Sequence, residues 1–231
     1  MPVTPRILGA VTTDALSPTG RSTIRRGKER ARTDRAELHA LLDGGMLCHL
    51  GVVLDGAPLV LPTCYGRDGD TLYLHGSSGA ASLRAAEGTE VCVTVTELDG
   101  IVYARSVFHF SVNYRSAVIH GRAVPVTGDQ ARLHGLRTLT EQVAPGSWDH
   151  ARLPNRRELA ATTVLALDLG EAAVKMRSGP PGDDEADLGT PGVWAGVLPL
   201  RRAWGEPEPC PLLSPDAVPP AHVQSRTGPI A

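Results

Sequence analysis

Aromatic residues make up only 4% of the 231-residue chain, and its acidic and basic residues nearly balance, with a formal net charge of −2. Stacking on bases needs aromatic side chains, and binding phosphate backbones needs excess positive charge, so no nucleic acid partner is expected. No apolar run reaches the roughly 18 residues that a membrane span needs, and residues 7–11 are too few for a signal-peptide core. We therefore expect a soluble, cytoplasmic protein without membrane contact.

Cysteine is also scarce, and several catalytic motifs are missing. The four cysteines form no CxxC pair, and the eight histidines show no metal-ligand spacing, so we expect free thiols and no metal site. The chain has no GxGxxG, no GxxxxGK[ST], no HExxH and no GxSxG element. These absences argue against a Rossmann dinucleotide site, a P-loop nucleotidase, a zinc protease of that type and a Ser/His hydrolase.

Composition divides the chain into three segments. Residues 1–31 are basic and lack periodicity, which predicts a flexible tail. Residues 32–178 carry the periodic patterns of a folded domain. Eleven of the 19 prolines follow residue 179, so residues 179–231 are predicted to form an extended arm. An apolar island at 193–200, which includes Trp194, is expected to pack on the domain or on a partner subunit.

The folded segment is rich in short strand patterns. Strands are predicted at residues 46–54, 58–65, 71–75, 91–95, 112–126, 162–169 and 172–177, with turn signals at Asp55-Gly56 and Asp68-Gly69. Helices are predicted after Asp34, around 80–86 and from about 127 to 143. Few helices between many strands favour a mainly β fold, an antiparallel barrel or sandwich with flanking helices. Side chains fill a barrel this small, so a ligand must bind outside it or at a subunit interface.

A Gly/Ser turn follows one predicted strand. Gly76, Ser77, Ser78 and Gly79 lead into a short helix, where free backbone N–H groups and hydroxyls suit an anion such as phosphate. Arg84, further along that helix, is a candidate charged contact to the same anion. The alternative is a plain strand-to-helix turn.

His75 ends the strand before this turn. Strand alternation places it on the face of Tyr73, opposite Leu72 and Leu74, and therefore away from the core. An imidazole there can exchange a proton near neutral pH, so His75 is the candidate catalytic residue. The alternative is a histidine that only hydrogen-bonds a neighbouring loop.

Several segments together resemble the flavin-binding split barrels of the pyridoxamine-phosphate-oxidase-like superfamily. They are PTCY at 62–65, LYLHGSSG at 72–79, VCVTVTELDG at 91–100 and SVNYRSAVIHG at 111–121, and the resemblance extends over about residues 32–200. Among named relatives, the sequence is similar to nitroimidazole-resistance-type reductases.

The resemblance implies a six-stranded antiparallel split barrel and a homodimer with FMN at its interface. It implies flavin contacts from three places in the chain: Pro62, Thr63 and Tyr65; then His75, Ser77 and Ser78; then Asn113, Tyr114, Arg115 and Ser116. The oxidases carry a Ser-Arg-Lys phosphate clamp where this chain has Gly79-Ala80-Ala81, so Arg84 or the partner subunit would have to compensate. This departure argues against oxidation of pyridoxamine phosphate itself.

The function implied is an FMN-dependent oxidoreductase acting on a small organic substrate, such as a nitroaromatic compound. Two alternatives stay open. One is a split barrel that binds a ligand without catalysis, and the other is a protein that holds haem or a deazaflavin instead of FMN.

Overall fold

The computed structural model describes residues 15–16, 19–214, 216–226 and 228–229. The strands are β1 (Ala31–Arg32), β2 (Leu47–Leu54), β3 (Ala57–Asp68), β4 (Thr71–Ser77), β5 (Glu90–Tyr103), β6 (Ser111–Arg122), β7 (Val124–Pro125), β8 (Thr162–Asp168), β9 (Ala172–Arg177), β10 (Gly196–Pro199), β11 (Ala203–Trp204) and β12 (Gly228–Pro229). The α-helices are α1 (Arg35–Gly44), α2 (Ala81–Ala86), α3 (Asp129–Val143), α4 (Arg156–Ala160) and α5 (Ala221–Gln224). None of these helices is long and apolar enough to cross a bilayer.

Ten of these strands form one antiparallel sheet in the order β1-β9-β6-β5-β2-β3-β4-β8-β7, with β10 paired to β5, while β11 and β12 pair separately. The sheet curls because β3 pairs with β2 over residues 57–64 and then with β4 over residues 65–68. The predicted class, a mainly β antiparallel split barrel with flanking helices, is confirmed. The predicted count of six strands is wrong, because the described sheet has seven longer strands and the short strands β1, β7 and β10.

One predicted strand is interrupted. Residues 112–126 form β6 and β7 rather than one long strand, and the two are separated at Ala123. Ala123 is buried, and its backbone N–H donates to the carbonyl oxygen of Thr89 at 2.9 Å instead of continuing the ladder with β5. The chain then changes partner, and Val124 pairs with Ala166 of β8.

The barrel interior is filled by helix α1 and the inward side chains of the strands. The side chain of Asp34 caps α1 by accepting the N–H of Ala36 at 2.9 Å, as the sequence predicts. Leu38, Leu41 and Leu42 on one face of α1 are buried. They share one core with inward residues of six strands: Leu50, Leu72, Leu74, Val93, Val95, Ile119, Leu165, Leu167 and Val174.

The hairpin between β2 and β3 follows the predicted turn chemistry. Asp55 and Gly56 have φ values of 52° and 78°, so both occupy the left-handed region. A two-residue type I′ turn requires this, and it matches the twist of the flanking strands. The turn fixes the register that pairs Leu54 with Ala57.

Residues 19–32 contact the sheet. The Arg21 guanidinium pairs with Glu90 at 2.8 Å and with Glu171 at 2.7 Å, and β1 pairs with β9. The Lys175 ammonium donates to the carbonyl oxygen of Arg26 at 3.1 Å. The segment predicted as a tail, 1–31, includes these residues, and its first 14 residues lie outside the described part.

The C-terminal arm begins by adding a strand to the domain. In the predicted apolar island, β10 pairs with the end of β5, with Gly196 opposite Tyr103. The Trp194 and Tyr103 rings lie 5.7 Å apart. The island therefore packs on its own domain in this chain.

Helix α3 lies against the outer face of β3 and β4, and two glycines allow the close approach. A Cβ placed on Gly66 would lie 2.6 Å from the backbone nitrogen of Leu139, and one on Gly135 would lie 3.0 Å from the Tyr73 ring. Neither contact leaves room for a side chain, so these glycines set the position of α3.

We predict that Gly66→Ala destabilises the domain by about 1–3 kcal/mol, the usual cost of overpacking, because backbone atoms of α3 cannot move aside cheaply. Urea unfolding followed by circular dichroism measures the effect. The control is Gly44→Ala in α1, where a Cβ meets nothing within 4 Å and the free energy of unfolding should not fall. Equal stability of the two variants would contradict the assigned position of α3.

Candidate cofactor and active site

His75 lies on the outer face of β4, where its strand position predicts it. Leu72 and Leu74 point into the core and are fully buried, whereas the His75 side chain is exposed. Its neighbour across the ladder is Val164 of β8. The predicted orientation of His75 is therefore confirmed.

The exposed face of His75 opens into a recess of about 360 Å³, here called the His75 recess. The recess lies between β4, helix α3 and the segment that joins α3 to α4. Its lining comprises His75, Leu136, Thr140, Ser147, Trp148, Ala151, Arg152, Leu153, Pro154, Glu158 and Thr162. Its volume is typical of small-molecule sites, and its wall is mixed, with five apolar and six polar residues.

The connecting segment is held in place by Glu141 of α3. Its carboxylate accepts the backbone N–H of Gly146 at 2.7 Å and that of Trp148 at 2.9 Å. These hydrogen bonds, the one from Gly146 first, lower the pKa of Glu141 below its usual value. The carboxylate stays ionised at neutral pH and fixes Trp148 against the recess.

Arg152 and Glu158 close one end of the recess as an ion pair. The guanidinium donates to both carboxylate oxygens, at 2.9 and 2.8 Å. Glu158 also accepts the N–H of Asn155 at 2.8 Å, and its own N–H donates to the Asn155 side chain at 3.0 Å, so the pair is part of the capping box of α4. The bonds from Arg152 and Asn155 lower the pKa of Glu158 to about 2.

Desolvation in the recess favours a neutral imidazole. The atoms around His75 exclude part of its water, and this desolvation lowers the pKa of the imidazole below 6.5. The shift favours the neutral form of His75, which accepts a proton or binds a metal centre.

In the predicted anion-binding turn, the backbone donors of residues 78–80 already have partners within the chain. The N–H of Ser78 donates to the Ala161 carbonyl at 2.9 Å, and that of Ala80 donates to the Ser77 carbonyl at 2.9 Å. The N–H of Gly79 donates to the Ser77 hydroxyl oxygen at 3.2 Å. Arg84 donates to the Gly79 carbonyl at 2.5 Å and so braces the turn from within. Only the exposed hydroxyls of Ser77 and Ser78 stay available to a ligand.

Pro62, Thr63 and Tyr65 do not share one face, so their predicted common contact with a flavin is corrected. Pro62 is exposed on the outer face of β3, whereas Thr63 and Tyr65 point the other way. Tyr65 is fully buried, and its hydroxyl donates to the Leu42 carbonyl at 2.6 Å. Burial raises the pKa of Tyr65, and its side chain has no surface to offer a cofactor.

Three of the four predicted residues on β6 already have partners within the chain. The Asn113 amide donates to the Gly179 carbonyl at 3.2 Å, Arg115 pairs with Asp99 at 2.8 Å, and Ser116 donates to the Lys175 carbonyl at 3.2 Å. Tyr114 is half-buried opposite Leu98.

Strands β5 and β2 separate β6 from β3, so three strand spacings, roughly 14 Å, lie between these residues and Pro62 across the sheet. Pro62 also lies in the row of Val118, so residues 113–116 are displaced from it along the strands as well. One chain does not bring the two groups together.

Sequence reasoning missed most of the recess wall. Trp148, Arg152 and Leu153 come from a connecting loop, and only tertiary packing places this loop beside β4. The usable signals were a tryptophan in a chain poor in aromatics and the capping box at Asn155 and Glu158.

A trio of polar side chains was also unexpected. The ligand-type atoms of His109, Asp184 and Asp187 lie within 4.8 Å of one another on two surface turns. His109 and Asp184 are 3.2 Å apart, a distance that an ordinary ion pair explains.

We predict that His75→Gln makes stability less sensitive to acid. An imidazole with a native pKa below its unfolded value of about 6.5 binds fewer protons when folded, so its burial costs stability as pH falls through and below that value. Thermal unfolding at pH 7.5 and pH 5.5 should show a smaller loss of Tm in His75→Gln than in the wild type. Equal losses in the two proteins would contradict the desolvated position of His75.

Comparison with known proteins agrees with the fold. A family profile described as pyridoxamine 5′-phosphate oxidase matches residues 34–176. The structure of a flavocytochrome from Azotobacter vinelandii is 38% identical, with a TM-score of 0.85, and the match covers 90% of this chain and 97% of that one. A FAD and haem binding protein from Mycobacterium smegmatis is 39% identical, with a TM-score of 0.83 and coverage of 87% and 98%.

A more distant structure, assigned to 5-nitroimidazole antibiotic resistance in Bacteroides thetaiotaomicron, is 18% identical with a TM-score of 0.54 over 63% of this chain and 85% of its own. It shares the fold. A search of curated proteins returned no match. The profile covers more than half of the chain, and two relatives exceed 30% identity over nearly their whole length. The chain therefore belongs to the pyridoxamine 5′-phosphate oxidase-like family of flavin-binding split barrels.

Proposed function

We propose that the protein is a flavin-dependent oxidoreductase that also binds haem in the His75 recess. The observation that carries the proposal is a desolvated imidazole at the wall of a recess that also presents Leu136, Trp148 and Leu153. It occurs in a chain 38–39% identical to a flavocytochrome and to a FAD and haem binding protein. The sequence left haem open as an alternative to FMN, and these relatives favour a chain that holds both kinds of cofactor.

The residues of the recess fit a haem group. A proximal histidine is a common axial ligand, and His75 presents the neutral ring that ligation requires. Leu136, Trp148 and Leu153 offer apolar contact to a macrocycle. When bound, a haem supplies one-electron chemistry, while the chain sets its ligand, its charge and its access to water.

The flavin is proposed to bind on the outer face of the sheet. Pro62 is exposed there, and the hydroxyls of Ser77 and Ser78 are the donors left for its phosphate. FMN is the form expected from the sequence, whereas one similar protein is described as binding FAD. We propose FAD, because that protein is 39% identical to this chain over nearly its whole length. Mass spectrometry of the released cofactor separates the two.

A homodimer is the proposed assembly. Within one chain, three strand spacings, about 14 Å, separate Pro62 from the predicted flavin contacts on β6. A dimer can bring them into one flavin site if one copy contributes Pro62 and the other contributes the β6 residues. The outer face of β2 and β3 also carries Leu47, Val53 and Val60, which are 58%, 65% and 62% exposed. Covering such residues favours association.

A second role for His75 follows from its exposure. As a proton acceptor beside a flavin, it would serve turnover of a small organic substrate, for example a nitroaromatic compound, without binding a metal centre. The two roles predict different effects of replacing His75: loss of haem if it binds haem, and slower flavin reoxidation if it accepts a proton.

We predict that the purified protein shows flavin and haem absorption, and that His75→Ala loses the haem band but keeps the flavin. Ultraviolet–visible spectra of freshly purified proteins measure both. The control is His120→Ala on β6, which lies outside the recess lining and should retain both cofactors. If His75→Ala keeps its haem but reoxidises its flavin about 100-fold more slowly, the acid–base role holds instead. A wild type without either cofactor would refute the proposed function.

A further inference from the structure

A second recess lies next to the first, between the segment after α3 and the C-terminal arm. We call it the C-terminal recess, and its volume is about 410 Å³. Its lining comprises Ala144, Pro145, Ser147, Trp204, Gly205, Glu206, Pro207, Glu208, His222, Val223 and Arg226. No residue of this set belongs to the predicted flavin contacts, and only Ser147 also lines the His75 recess.

The aromatic wall of the C-terminal recess is fixed in position. The Arg226 guanidinium lies over the Trp204 ring, 4.3 Å from its centroid, and donates to the Val143 carbonyl at 2.6 Å. One face of the indole is therefore covered by a side chain that is itself tied to α3. Trp204 still has 36% of its surface exposed, which leaves ring surface for a ligand.

The opposite wall is also held. The His222 ring meets the His150 ring edge to face, with centroids 5.0 Å apart. Gly146 has a φ of 81°, and a Cβ there would lie 2.8 Å from the Cβ of His222, so glycine allows α5 to approach the segment. His222 and Ser147 offer polar hydrogens to the recess from fixed positions.

Charge at the recess selects against anions. Glu206 and Glu208 are exposed carboxylates in its lining, and Arg226 is the one guanidinium there, so negative charge exceeds positive charge in the lining. A neutral ligand avoids repulsion by the two carboxylates, whereas an added negative charge meets it directly. The groups that remain suit a flat apolar body with hydrogen-bond acceptors at its edge.

We propose that the C-terminal recess binds an uncharged planar aromatic molecule that carries oxygen acceptors, the chemistry shared by quinones and nitroaromatic compounds. The indole supplies a stacking surface, and His222 and Ser147 supply donors for the oxygens. The C-terminal recess adjoins the His75 recess, so we take this molecule to be the second substrate of the oxidoreductase. Only this assignment as a substrate rests on the proposed function.

Isothermal titration calorimetry of the full chain tests the proposal with three probes. Duroquinone and 4-nitrobenzamide are neutral, and duroquinone has no open ring position at which the exposed thiol of Cys210 would add. The third probe, 4-nitrobenzoate, matches the amide but is an anion. We expect at least one neutral probe to bind. The probe that binds more tightly shows whether the recess prefers a quinone or a nitroaromatic compound. We expect the benzoate to bind at least tenfold more weakly than the amide.

Variants locate the binding. Trp204→Ala should weaken the neutral probe about tenfold, or roughly 1.4 kcal/mol, as expected for loss of a stacking surface. Trp204→Phe should stay within about threefold of the wild type. The matched control is Trp194→Ala. Trp194 contacts Tyr103 at the end of β5, so its loss should leave probe binding unchanged. Glu206→Gln combined with Glu208→Gln should strengthen benzoate binding.

Three results would overturn the inference: no heat from either neutral probe, equal affinity for amide and benzoate, or no loss in Trp204→Ala. Calorimetry is read together with the cofactor content of the same preparation. Absent flavin and haem would refute the proposed function, whereas bound cofactors with no probe binding would refute only this site.

Discussion

The filled interior of the barrel is the constraint on which the rest of the structure depends. Leu38, Leu41 and Leu42 of α1 pack against inward side chains of the strands in one continuous core. Close packing of this kind makes the core intolerant of a ligand. All chemistry must therefore take place on the outer surface, where strand alternation presents every second residue.

Helix α3 and the segment that follows it cover part of the outer surface. The recesses form at the edges of this cover. Gly66 and Gly135 let α3 lie close to β3 and β4, and Glu141 holds the segment that carries Trp148. His75 lies at the open edge of this cover. The same segment separates two recesses, so the position of α3 sets the geometry of both.

Local rules predicted much of this architecture. The cap at Asp34, the turn at Asp55-Gly56 and the outward orientation of His75 follow from short-range geometry, and each has the predicted form. They depend only on nearby residues, so one sequence suffices to derive them. The resemblance to the split-barrel family added the fold class, which the strand pattern alone left open between barrel and sandwich.

Sequence patterns say least where a distant partner decides which polar groups stay free. The turn at 76–79 has the composition of an anion site, but Ala161 and Arg84 consume or brace its polar groups. Tyr65 belongs to a motif associated with flavin, yet its hydroxyl is satisfied by Leu42 in the core. The recess wall at 147–158 has no periodic pattern, so only its packing on β4 and α3 reveals its role.

A crystal structure of the protein with its co-purified cofactors would test the central claim that chemistry lies on the outer face at His75. The account predicts electron density for a planar macrocycle in the recess between β4 and α3, with its iron within bonding distance of a His75 ring nitrogen. A cofactor bound elsewhere, with the His75 ring hydrogen-bonded only to protein atoms, would contradict it.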